Sequence, residues 1–195
     1  PSRQFDISKI DFELLSREFA HTRRKNLLLR DLDELVNQQL SKMLFANPQR
    51  IDYYDRYQEI IDAYNAEQNR ATIEKTFMDL MELASSLDTE QQRYVREGFS
   101  SDEELSVYDL LFSENLTKQE IETIKKVSVD LLTKIKQQIA KLDHWTDKQE
   151  TKAIVDNLIR NTLWQELPNS YDVSDIQTYQ KKIYEYVYMR YPEVA

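Results

Sequence analysis

Two histidines, one glycine and no cysteine bound the chemistry that this 195-residue chain can perform. Imidazole metal sites need further ligands close in space, and neither His21 nor His144 has a second histidine within a helical turn. His144, beside Trp145 at a predicted helix start, reads as a packed or capping residue. A serine nucleophile would need one of these imidazoles and a strand-to-helix elbow of the G-x-S-x-G type, and no such string occurs. Glu150-Thr151-Lys152, with Asp130 or Asp143 upstream, superficially has the E-x-K half of a metal-dependent nuclease site. That chemistry gathers acidic groups from adjacent strands around Mg²⁺, whereas the tripeptide falls in the first turns of a predicted helix. The helix macrodipole already accounts for acids there, as it does for Asp102, Glu103 and Glu104. Gly98 alone cannot build a phosphate-cradling loop, which needs several residues free of Cβ. No catalytic, cofactor-binding or metal-binding residue is therefore expected.

What remains is surface chemistry. The net charge of −9 and isoelectric point near 4.9 oppose binding to phosphates over the average surface. Basic spots stand at Arg23, Arg24, Lys25 and Arg30, at Lys125, Lys126, Lys134 and Lys136, and at Lys181 and Lys182. Each reads first as a solvated helix face, and the Arg23 to Arg30 cluster is the candidate phosphate contact. Twelve tyrosines, seven phenylalanines and two tryptophans are the other notable stock. Tyr184, Tyr186 and Tyr188 alternate along one predicted helix, so they cannot all face one core. They are the candidate partner interface, because tyrosine and tryptophan are enriched in protein contacts. At least one of Trp145 and Trp164 is expected in the core, with Trp164 continuing the face of Leu163.

The elements that must position these residues read as helices throughout. Apolar residues recur at three- and four-residue spacing, and no alternating strand pattern competes. After a short lead through Phe12, Leu15 and Phe19, a long helix through Leu28 to Leu44 stops at Asn47-Pro48. Further helices are predicted over Ile51 to Ala66 and from Thr72 to Leu87. A piece from Thr89 to Glu97 ends at Gly98, a natural C-cap, and one from Ser101 to Phe112 opens with the box Ser101-x-x-Glu104. Thr117-x-x-Glu120 starts a helix through Leu142, Thr146-x-x-Gln149 starts one closing before Pro168, and Val173 to Tyr191 is the last. The pattern predicts an all-α, helical-bundle-like single domain of seven or eight helices around one shared core, with residues 1–11 as a linker. No apolar stretch approaches the ~20 residues that cross a bilayer, and no signal peptide is visible. Beginning at Pro1 without cysteine, the chain is expected to be a cytoplasmic fragment of a longer protein.

Specific strings carry a resemblance. Asn47-Pro48-Gln49-Arg50-Ile51-Asp52-Tyr53-Tyr54, Arg70-Ala71-Thr72-Ile73-Glu74-Lys75-Thr76-Phe77, Arg93-Tyr94-Val95-Arg96-Glu97-Gly98-Phe99, Asp143-His144-Trp145-Thr146-Asp147-Lys148 and Leu163-Trp164-Gln165-Glu166-Leu167-Pro168 followed by Tyr171 lie in order along the chain. It resembles the C-terminal region of restriction (R) subunits of type I restriction-modification enzymes. The resemblance implies a parent that is an ATP- and Mg²⁺-dependent motor, translocating DNA and cleaving it far from its recognition site. It also implies that this region helps attach the R subunit to a methyltransferase core of modification and specificity subunits, which meet DNA as a full complex. The alternative role is to guide DNA beside the motor. None of the strings is a catalytic signature, so no catalytic residue is carried over. No membrane contact is expected.

Overall fold

A computed structural model describes residues 9–193. Most of the linker expected over residues 1–11 lies outside them. Among the described residues there is no strand, and the helices are α1 (Phe12–His21), α2 (Lys25–Ala46), α3 (Ile51–Ala66), α4 (Arg70–Gln91), α5 (Arg93–Arg96), α6 (Asp102–Leu111), α7 (Lys118–Ile139), α8 (Gln149–Glu166) and α9 (Val173–Arg190), with a 3₁₀ turn over Pro48–Arg50. The chain is all-α, as the periodicity predicts. One shared core is expected from that periodicity. The helices instead gather into two compact units, Pro1–Gly98 and Phe99–Ala195.

Helix ends are fixed by side chains where glycine is missing. Asp11 Oδ1 accepts from Leu14 N at 2.9 Å, and Asn69 Oδ1 accepts from Thr72 N at 2.9 Å. Each satisfies an amide that the helix start leaves free. Thr117 and Glu120 form the expected reciprocal box, and Asp172 and Asp175 form another. Ser101 Oγ accepts from Glu104 N, but Glu104 Oε2 reaches back to Ser100 N rather than Ser101 N. Gly98, at φ +84°, is the one left-handed position filled by glycine, and its N–H donates to Val95 O.

Three boundaries differ most from the sequence pattern. Helix α4 runs on to Gln91, so the piece predicted from Thr89 is its last turn followed by the single-turn α5. Helix α7 stops at Ile139 rather than Leu142. The box at Thr146-x-x-Gln149 does not form: α8 starts after Lys148 with no side-chain cap, and Thr151 Oγ1 closes that turn by donating to Trp145 O at 2.7 Å.

In the first unit α4 packs against α1, α2 and α3. Leu29, Leu32, Val36 and Leu40 of α2 meet Phe77, Leu80, Leu83 and Leu87 of α4 in its core, where Phe19 stacks on Phe77 with centroids 3.7 Å apart. Tyr57 donates to Asp33 Oδ1 at 2.6 Å, and burial first, then that hydrogen bond, pushes its phenol up to about 12. In the second unit each of α6, α7, α8 and α9 packs on the next, and α6 meets α9 to close a four-helix ring. Its core includes Leu105, Leu111, Ile124, Leu131, Ile135, Val155, Ile159, Leu163, Ile183 and Val187.

Candidate functional site

The proposed aromatic surface of α9 is largely an internal clasp. Trp145 is fully buried, its indole Nε1 donating to Tyr191 O at 2.7 Å. Tyr184 and Tyr188, one turn apart, set their rings edge-on to it with centroids 6.1 and 5.8 Å away. Tyr191 donates to Glu103 Oε2 at 2.8 Å, and Lys136 closes an ion pair on the same carboxylate. Burial works to raise the Glu103 pKa, but the hydrogen bonds from Lys136 and Tyr191 and the Lys136 charge outweigh it and hold the carboxyl below its ordinary value.

The three candidate tyrosines therefore part company. Tyr186 is buried, with its phenol pushed up chiefly by that burial, and offers no ring to a partner in this packing. Tyr184 is half-buried, and Tyr188 is 37% exposed. The tryptophans separate as well. Trp145 is the core residue, whereas Trp164 does not continue the Leu163 face: Leu163 is buried and Trp164 is 48% exposed. Adjacent helical positions point about 100° apart, which sends the indole outward when Leu163 points in.

The basic cluster is uneven. Arg23 and Arg24 are exposed in the joint before α2. Lys25 is committed elsewhere, with its ammonium 3.1 Å from Glu74 Oε1 and 4.8 Å from the centre of the Phe19 ring. Arg30 lies 3.9 Å from Asp31. Lys134 is held between Asp130 and Glu166 at 2.6 and 2.8 Å, and Lys182 sits 5.5 Å over the Tyr179 ring. His144 is neither packed nor a helix cap: it occupies an exposed turn at φ +46°, its Nδ1 3.0 Å from Asp143. Glu150 and Lys152 lie in the first turn of α8, as the sequence predicts. Among the described residues no group of three His, Cys, Asp or Glu is arranged to hold a metal ion, and no helix is long and apolar enough to cross a membrane.

A buried charge cluster in the first unit is not readable from residue spacing. Glu90 is buried and receives Arg50 Nε at 3.1 Å, Arg93 Nε at 3.0 Å and the Tyr53 hydroxyl at 3.4 Å. Arg50, equally buried, also donates to Met43 O at 3.3 Å. Its partners stand 40 and 7 residues away in sequence.

The family described as type I restriction enzyme HindI endonuclease subunit-like, C-terminal, matches residues 2–191. The chain belongs to that family. No curated protein and no solved structure matches it. In this restriction-enzyme C-terminal region, the strings that carry the resemblance mix packing residues with exposed ones such as Val95 and Trp164. Asn47 is buried and accepts from Gln49 N, while Arg50, Tyr53 and Arg93 converge on Glu90. Trp145 fills the second unit, and the Tyr171 hydroxyl donates to Leu111 O at 2.5 Å.

Proposed function

We propose that this region is a protein-docking module that attaches an R subunit to the methyltransferase core of modification and specificity subunits. The observation behind it is Trp164, a large aromatic side chain facing water on a helix whose inner face is locked into the second unit. Rigid exposed tryptophan is typical of the residues that dominate binding energy in protein contacts. A surface carrying net charge −9 favours partners with basic patches and speeds their encounter. ATP, Mg²⁺, DNA translocation and cleavage belong, on this reading, to the rest of a longer cytoplasmic parent chain.

A DNA-guiding role has Arg23 and Arg24 in its favour, but their neighbour Lys25 is engaged with Glu74 and Phe19. Salt separates the two readings. The 195-residue chain is mixed with the separately purified methyltransferase core and, in parallel, with duplex DNA. Docking expects co-purification with the core and a shallow loss of affinity as salt rises. Failure to bind the core, together with DNA binding that weakens steeply with salt, overturns it.

A further inference from the structure

The outward face of α8 differs in chemistry from the rest of the surface. Between Ala153 and Trp164 the exposed residues are Ala153, Ile154, Asn157, Arg160, Asn161 and Trp164, and Arg160 is the one charge among them. In a chain with 31% charged residues, whose charges should concentrate at exposed positions, that stretch is depleted of charge, and the exposed Glu150 stands just before it in the first turn. Interface cores show this depletion together with enrichment in tryptophan and arginine. Trp164 and Ile154 are 48% and 42% exposed. Arg160 and Trp164 are four residues apart, so they are neighbours on the helix surface. The opposite face, Val155, Ile159, Thr162 and Leu163, is buried, so the outer residues are presented at fixed spacing.

We infer that this face is the contact through which the docking proposed above is made, and that its occupant is a protein surface offering an apolar pocket for Trp164 beside a carboxylate for Arg160. The inference rests on the docking reading. Charge selects the occupant. One cation among six residues cannot neutralise a run of phosphates, which excludes a nucleic acid backbone as the fit. A two-fold contact between copies would need a carboxylate to receive Arg160; none of the six residues supplies one, and the nearby Asp156 is half-buried and already receives Gln180 Nε2 at 3.0 Å. The net charge of −9 on each copy opposes self-association further.

The test uses the 195-residue chain with Trp164→Ala, Arg160→Glu and, as a control on another exposed apolar residue, Val95→Ala. Affinity for the purified methyltransferase core is measured by calorimetry, and folding by circular dichroism and melting temperature. Trp164→Ala and Arg160→Glu are each expected to weaken binding at least tenfold with melting nearly unchanged, while Val95→Ala binds like the parent. If Trp164→Ala lowers the melting temperature, Arg160→Glu, whose side chain is outside the core, decides alone. Both variants binding within twofold of the parent would place docking on another surface and overturn this inference while leaving the docking reading intact. A parent chain that does not bind the core removes both. Sedimentation showing a dimer that Trp164→Ala dissolves, or DNA affinity that Arg160→Glu alone abolishes, replaces the occupant and overturns the inference.

Discussion

The two units solve the same packing problem with opposite chemistry. The first buries a carboxylate, Glu90, under two guanidiniums and a phenol; the second buries an indole, Trp145, between two tyrosine edges. Desolvating Glu90 and Arg50 is costly, and their mutual attraction repays it only while every partner is in place. Trp145 carries no such liability, since its single polar atom needs one acceptor and Tyr191 O supplies it. The ionic cluster is therefore expected to fix geometry more than it adds stability. The aromatic one supplies stability outright.

Five changes probe that contrast. The largest effect is expected from Trp145→Ala, which empties the clasp and should cost about 4 kcal/mol, read as loss of amide protection concentrated in residues 99–193. Glu90→Gln should cost about 3 kcal/mol by leaving Arg50 buried without its counter-charge. The double change Arg50→Met with Glu90→Leu should recover most of that loss in denaturant melts, and a double variant as unstable as the single one would show that the ions supply net stability. Tyr171→Phe removes the hydrogen bond to Leu111 O and should cost about 1 kcal/mol in the same melts. The smallest effect concerns pH. Because the Glu103 carboxyl is held below its ordinary 4.5, its contribution is complete above that pH and disappears as pH falls through the lowered value. Trp145 fluorescence should report that acid loosening, and Glu103→Gln should remove the pH dependence of this step.

Helix type and most helix ends were legible because apolar spacing and capping residues act within a few positions. Thr117 with Glu120 and Gly98 did what their neighbours allow. The division at Gly98 was not legible: periodicity reports which face of a helix is buried, and says nothing of which helix covers it. The Glu90 cluster was hidden for the same reason, its members being local only in part. Trp164 could have been read better, since a residue next to buried Leu163 is rotated too far to share its face. That Tyr184, Tyr186 and Tyr188 differ in exposure followed from helix geometry. That two of them clasp Trp145 depended on the chain reversal between α8 and α9, which no local pattern encodes.

Gly98 has a consequence in time as well as in space. The packed helix pairs α1 with α4, α2 with α4 and α3 with α4 all lie before it in the chain. A ribosome that has released residues 1–98 has released both members of each of those pairs together with all the chain that joins them, so their pairing need not wait for the second unit. Leu80 and Phe77 can be out of water before Trp145 has been synthesised, so the nascent chain need not hold both apolar cores exposed at once.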